Sequence, residues 1–201
     1  AEICEELWVS HSPHIDLTLC GVEIFSNGSG SHHQLRKLDA RLQLIMSATA
    51  KCGGCYVFSN HKGCDGTRLY FDGSSLICVN GQIKAQSSQF SLCDVEVATA
   101  VVDLNDIRSY RSNIASLQDQ ASLKQHANLT NNLKNITIDV TSFSMRAGGP
   151  SSFELSSTND AKEESYHSNT MFKTTESIQP YLHSPEEECV LGPACWLWDY
   201  L

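Results

Sequence analysis

The sequence is short of positive charge. Against 23 Asp and Glu it carries 14 Lys and Arg, a formal net charge of −9 at pH 7. A chain this acidic lacks the electrostatic footprint that neutralises phosphate backbones, which argues against nucleic acid as a partner. No run of 18 apolar residues occurs, so no helical membrane span is expected. No basic, then apolar, then small-residue leader opens the chain, and there is no initiator Met, which suggests a fragment. Five Pro and 12 Gly in 201 residues are too few for a fibrous or low-complexity chain. What is present is 41% hydrophobic residues, enough for one globular domain with a core, or a large piece of one.

Nine cysteines, at 4, 20, 52, 55, 64, 78, 93, 189 and 195, are an odd number for a secreted disulfide framework. Most fall in apolar, strand-like surroundings, where a free thiol behaves as a small buried hydrophobe. A reducing, cytoplasmic setting is expected. Asn27, Asn128 and Asn135 sit in N-x-S/T sequons. In a Ser- and Asn-rich chain these read as chance, because glycosylation requires secretion.

Along the chain, residues 22–26 read as a buried strand stopped by Asn27-Gly28-Ser29-Gly30. Residues 35–50 place Leu35, Leu38, Leu42, Ile45, Met46 and Thr49 at helical spacing, with Arg36, Lys37, Arg41 and Gln43 between them. This predicts an amphipathic helix stopped by Gly53-Gly54. Residues 55–59 read as a second strand. Asn80-Gly81 divides two β-prone runs in residues 76–86, a two-residue hairpin signal. Residues 95–104 read as another strand, and Asn105-Asp106 as the opening of a short helix. The order predicts a layered α/β fold. From about residue 113 to 180 the chain turns rich in Ser, Thr, Asn and Gln, weakly periodic apart from residues 136–140, and reads as a partly flexible insertion or linker. In the last stretch Glu186, Glu187 and Glu188 suit a helix start, and the aromatic cluster Trp196-Leu197-Trp198-Asp199-Tyr200 is expected to be buried.

The segment Glu2-Ile3-Cys4-Glu5-Glu6-Leu7-Trp8 is where chemistry is to be sought. An apolar residue, then Cys, then acids is what a strand followed by a sharp turn gives. Such a turn exposes the thiol as an acyl-transfer nucleophile, with the Glu5 backbone N–H as one oxyanion donor. Spacing alone favours the plainer reading, a buried core cysteine. Glu5 and Glu6, ionised nearby, would raise the thiol pKa, so a working nucleophile needs a base and a cation from elsewhere.

That segment resembles the nucleophile motif of the nitrilase-type glutaminase domain in eukaryotic glutamine-dependent NAD synthetases. The resemblance continues through Ser29-Gly30-Ser31-His32-His33, Lys62-Gly63-Cys64-Asp65-Gly66, Leu69-Tyr70-Phe71-Asp72-Gly73, Ser88-Gln89-Phe90-Ser91-Leu92 and His183-Ser184-Pro185-Glu186-Glu187-Glu188, ending in Leu191 to Leu201. It covers about residues 1–112 and 181–201. It implies an αββα sandwich, partial here: residues 1–112 as the C-terminal half of the carbon–nitrogen hydrolase domain, 113–180 as a polar, divergent insertion, and 181–201 as the junction to an ATP-dependent synthetase domain. It implies that the Cys4 thiolate hydrolyses glutamine, and that the ammonia amidates deamido-NAD to NAD. Glu5, Ser31 and Lys37 fall at glutamine-binding positions, where a cation pairs the substrate carboxylate. ATP and Mg2+ belong to the synthetase domain, and this segment is expected to hold no cofactor or metal. A homo-oligomer is implied. The family's general-base Glu and oxyanion-stabilising Lys lie upstream of the Cys, outside this sequence, so the isolated chain is expected to be inactive.

Other readings compete. Cys52-Gly53-Gly54-Cys55 with His61 and Cys64 supplies four zinc-type ligands, but a second pair at finger spacing is lacking and Cys55 opens an apolar strand. His32-His33 and His11 with His14 read as ordinary loop histidines. Gly28-x-Gly30 lacks the Lys-Ser/Thr ending of a phosphate loop. Another nitrilase-type amidase and a truncated, non-catalytic paralogue are the alternative functions.

Overall fold

A computed structural model describes residues 1–126, 136–138 and 173–201. The chain opens with β1 (Glu2–Ile3), a four-residue 3-10 turn (Cys4–Leu7) and helix α1 (Pro13–Leu19). Then follow β2 (Ile24–Ser29), α2 (Lys37–Cys52), β3 (Cys55–Asn60), and a small hairpin of β4 (Lys62–Cys64) and β5 (Tyr70–Asp72). A second hairpin, β6 (Leu76–Val79) and β7 (Gln82–Gln86), precedes α3 (Leu104–Ser112), α4 (Ala115–His126) and α5 (Pro185–Tyr200). The main sheet has the order β1-β2-β3-β6-β7. β1, β2 and β3 run parallel, while β6 is antiparallel to β3 and to β7.

Alternation along the strands sends their side chains to two different layers. Phe25, Tyr56, Phe58, Leu76 and Cys78 pack against Leu38, Leu42 and Ile45 of α2 and against Leu7. On the opposite face Cys55, Val57, Ile77 and Val79 pack against Val102, Leu104 and Ile107 around α3. The edge of that face nearest β1 is open, with Ile3 and Ile24 exposed. The predicted layered α/β class holds. α5 builds a third cluster, Cys195 against Tyr70 and Phe90, over the β4–β5 hairpin. Residues 173–183 run beside β7, Ile178 N–H donating to Ile83 O at 2.8 Å.

Several elements match their sequence signals and several depart. The amphipathic helix forms at Lys37–Cys52 rather than 35–50, leaving Leu35 exposed. Arg41, expected on its polar side, is fully buried. The hairpin turn has φ of 50° at Asn80 and 83° at Gly81, the paired positive angles that favour Asn-Gly. A Cβ on Gly81 would lie 2.8 Å from that of Ala50. β2 runs on through Asn27-Gly28-Ser29 because it is paired on both sides. Asn27 is buried beneath Tyr56, so its sequon is closed to a glycan; Asn128 and Asn135 lie outside the described residues. Residues 95–103 form no strand: Val101 is bonded to Thr175 through its carbonyl and its N–H, while Val95 and Val97 stand exposed. Of the polar stretch 113–180, residues 115–126 form α4, tied to α1 by the Lys124–Asp16 ion pair. Residues 136–138 have no regular structure and are exposed; the flexibility expected beyond α4 falls largely outside the described residues. The C-terminal aromatics are not buried as expected. Trp198 and Tyr200 are exposed, Tyr200 stacking on half-buried Trp196. The thiols are all free, and Cys20, Cys93 and Cys189 are exposed rather than in the core.

Candidate active site

Three parallel strands bring their carboxyl ends to one edge of the sheet, where open α/β sheets gather ligands. Cys4 follows β1, Ser31 follows β2, and Asn60 ends β3. Cys4 takes φ +40°, a left-handed conformation that a non-glycine residue holds only when its surroundings impose it. The turn is closed from below: the Ile3 N–H donates to Glu6 Oε2 at 2.7 Å, and the Trp8 N–H to Glu5 O at 2.8 Å. The first N–H groups of such a turn have no partner within it. That leaves the Glu5 N–H suited to an oxyanion. The Cys4 side chain is half-buried.

The Glu2 carboxylate anchors this turn. His14 brings both its backbone N–H (2.6 Å) and its ring Nδ1 (2.9 Å) to Glu2 Oε1, and the Tyr56 hydroxyl donates to Oε2. Asn27 Nδ2 donates to the Tyr56 oxygen at 3.0 Å. Burial alone would raise the Glu2 pKa. The hydrogen bonds from His14 and Tyr56 outweigh it and hold the carboxyl below its usual value. Burial and the Glu2 carboxylate push the Tyr56 hydroxyl far up.

Ser31 is held by two side chains, Asn60 and Arg41. Its N–H donates to Asn60 Oδ1 at 2.9 Å, its carbonyl accepts from Asn60 Nδ2 at 3.1 Å, and its hydroxyl oxygen accepts from Arg41 Nη2 at 3.2 Å. With that lone pair engaged, the hydroxyl proton is left to point elsewhere. Arg41 is in turn paired with Asp72 Oδ1 at 3.0 Å, and Gln89 Nε2 donates to Asp72 Oδ2 at 2.8 Å.

Lys37 is the first residue of α2. Its Nζ donates to His32 O at 3.2 Å and lies 5.5 Å from the centroid of the Trp8 ring. Burial lowers its pKa, as does the neighbouring Arg41 charge; Asp72 and Cys4 pull the other way. Cys4 and the Lys37 ammonium therefore share one electrostatic neighbourhood, although 33 positions separate them in the chain. Glu5 is exposed on the turn, its carboxylate making no hydrogen bond among the described residues. The four residues singled out in the sequence thus lie on the Cys4 turn, on the loop after β2 and at the first position of α2. The sequence reading gave Glu2, Asp72 and Gln89 no role of their own, although they fall within the resembling motifs, and it missed Asn60 altogether. Arg41 alone left a signal, since position 41 falls on the same helical face as Leu38, Leu42 and Ile45.

The zinc-type reading fails on geometry. Cys55 starts β3 and His61 follows its end, so about 20 Å of strand separates them. Among the described residues no group of three or more His, Cys, Asp or Glu side chains is arranged to hold a metal. His11 pairs with Asp16, and His33 packs edge-on to Phe90. No described helix is long and apolar enough to cross a membrane.

A family profile described as carbon-nitrogen hydrolase matches residues 1–112. Over its whole length the chain is 50% identical to a glutamine-dependent NAD(+) synthetase of Saccharomyces cerevisiae and 47% identical to one of Homo sapiens. It spans about a quarter of each, 25% and 24% respectively. In fold it is similar to a carbon-nitrogen hydrolase from Helicobacter pylori G27, with a TM-score of 0.50 and 18% identity, over 63% of this chain and 47% of that one.

Proposed function

The chain belongs to the carbon-nitrogen hydrolase family, and from that premise we propose that it carries the nucleophile and part of the glutamine site of a glutamine-dependent NAD synthetase. The observation that carries this reading is the Cys4 turn: a left-handed cysteine at the end of a strand, within the field of a lysine. The relatives named as glutamine-dependent NAD(+) synthetases support the choice of substrate.

In this reading the Cys4 thiolate attacks the side-chain amide carbon of glutamine. The oxyanion that forms faces the Glu5 N–H. The C–N bond breaks, ammonia leaves with a proton from the general acid, and water then hydrolyses the glutamyl thioester to glutamate. Lys37 pairs the substrate α-carboxylate, the Ser31 hydroxyl donates to that carboxylate, and Glu5 faces the substrate ammonium. The resemblance assigns the general base and the oxyanion lysine to sequence preceding the Cys turn. It assigns the use of ammonia, ATP and Mg2+ on deamido-NAD to a synthetase domain joined through residues 181–201, with 113–180 as an insertion. Among the described residues no group of side chains fits Mg2+, and no step here runs through it. A cytoplasmic homo-oligomer completes the reading.

The test is ammonia release from glutamine by the full-length gene product, beside Cys4→Ala. Loss of release in the variant is the expected result. Release that survives the substitution overturns the reading. A product hydrolysing a different amide in a Cys4-dependent way is another nitrilase-type amidase, and one with no amide hydrolysis at all is a non-catalytic paralogue.

A further inference from the structure

Helix α5 buries one stripe: Glu188, Gly192 and Cys195. Their spacing, four and then three positions, keeps them on one helix face. Each of the first two touches the loop that joins β2 to α2. Glu188 is 2% exposed, and its carboxylate grips Arg36 twice. Oε2 accepts the Arg36 backbone N–H at 2.9 Å, and Oε1 accepts Nη1 at 3.0 Å. The same Nη1 donates to His183 O at 2.6 Å. One helical turn on, Gly192 lies so close to the His33 ring that a Cβ there would be 3.2 Å from its Cδ2. That ring also meets Phe90 edge-on at 5.0 Å between centroids, and the Phe90 carbonyl accepts from Cys195 Sγ at 3.4 Å.

Arg36 holds φ +64° and ψ +10°. This is a left-handed arginine without glycine's freedom, and it persists where contacts over-determine it. Glu188 supplies two of those contacts. Arg36 is also the residue from which α2 departs, so its backbone angles set the direction in which Lys37, the next residue, leaves the loop. Neither Arg36 nor Glu188 is among the groups assigned to glutamine.

We propose that Glu188 and Arg36 are positioning residues for the glutamine site: a buried carboxylate on α5 locks a left-handed arginine and thereby places Lys37. The proposal rests on Ser31 and Lys37 binding glutamine. It makes glutamine affinity a function of how α5 is seated, through contacts 152 positions apart in the chain.

The experiment measures ammonia release against glutamine concentration in the full-length gene product, for Glu188→Ala, Glu188→Gln, Arg36→Gly and Gly192→Ala. The rate at which iodoacetamide alkylates Cys4, located by peptide mass spectrometry, is followed alongside. A lost charge-assisted contact should raise KM for glutamine about tenfold or more in Glu188→Ala and Arg36→Gly, with kcat and Cys4 alkylation changing less than about threefold. Arg36→Gly is the decisive variant, because glycine relieves the left-handed strain while removing the guanidinium. Gly192→Ala strengthens the helix intrinsically but crowds His33, so a raised KM there cannot come from a weaker α5. If Glu188→Ala does not fold, Glu188→Gln and Gly192→Ala carry the test. An unmoved KM in Arg36→Gly and Gly192→Ala, or a fall in kcat at constant KM, overturns the proposal. If Cys4→Ala still releases ammonia, the glutaminase reading itself has failed. If Cys4→Ala is dead and KM is unmoved in the other variants, only the positioning role has.

Discussion

Arg41, in the second turn of α2, and Asp72, at the end of β5, form an ion pair of 3.0 Å in which neither side chain is exposed. Asn60 and Gln89 complete the shell around the carboxylate, at 3.2 and 2.8 Å. Removing one partner of such a pair strands a charge in the interior, at a cost of about 3–5 kcal/mol. Arg41→Met should therefore lower the unfolding free energy in urea by that amount, and Arg41→Met with Asp72→Leu should recover part of it. A single-variant loss under about 1 kcal/mol would show that water reaches the pair.

Lys37 is expected to act on substrate binding. An ammonium paired with a carboxylate is worth about 1.5–3 kcal/mol, so Lys37→Ala should raise the glutamine KM roughly 10- to 150-fold. Lys37→Arg should restore much of the affinity, since the positive charge is kept. An Ala variant with wild-type KM would remove Lys37 from the site.

Glu2 makes the Cys4 turn sensitive to acid. Its carboxyl titrates below the ordinary value of 4.5 when folded. The folded state thus binds fewer protons than the unfolded one, and the stabilisation is complete above the unfolded pKa. It is lost as the pH falls through the lower, folded pKa. Melting curves of the wild type and Glu2→Gln should lie farthest apart at neutral pH and converge below about pH 4.5. A gap that stays constant with pH would show that Glu2 acts without its charge.

The thiols should separate by exposure and acidity. Cys20, Cys93 and Cys189 are exposed and should react first with iodoacetamide. Cys55, Cys78 and Cys195 are buried, and burial pushes the Cys55 thiol up to about 11, so little reactive thiolate forms there. Peptide mapping after a brief exposure checks the order. Early labelling of Cys55 in folded protein would contradict the packing between the sheet and α3.

Features that depend on near neighbours were legible in the sequence. The Leu38, Leu42, Ile45 spacing gave α2, and Asn80-Gly81 gave the β6–β7 turn. Features set by distant partners were not. Glu188 reads as one of three acids warming a helix start, yet Arg36 draws it into the interior. Arg41 reads as one of the polar residues between the apolar ones, and only its pairing with Asp72 explains its burial. Residues 95–103 carry a strand's composition but form no ladder; Val101 bonds to Thr175 alone. Of the candidate site, Cys4, Glu5, Ser31 and Lys37 were singled out through motif resemblance, whereas the buried groups that hold Cys4 and Ser31 in place were given no role by it.

β1 consists of two residues, with Glu2 1% and Ile3 72% exposed. Its polarity is inverted: the acid faces the packed layer and the isoleucine faces out. In a strand, sliding by one position exchanges the two faces, and here hydrophobicity alone would favour the slipped alignment. The choice between alignments therefore falls to the Glu2 carboxylate and its donors. They fix where along the sheet edge the following thiol emerges, against a slip of about 3.3 Å. The location of Cys4 is an electrostatic address rather than a product of greasy packing.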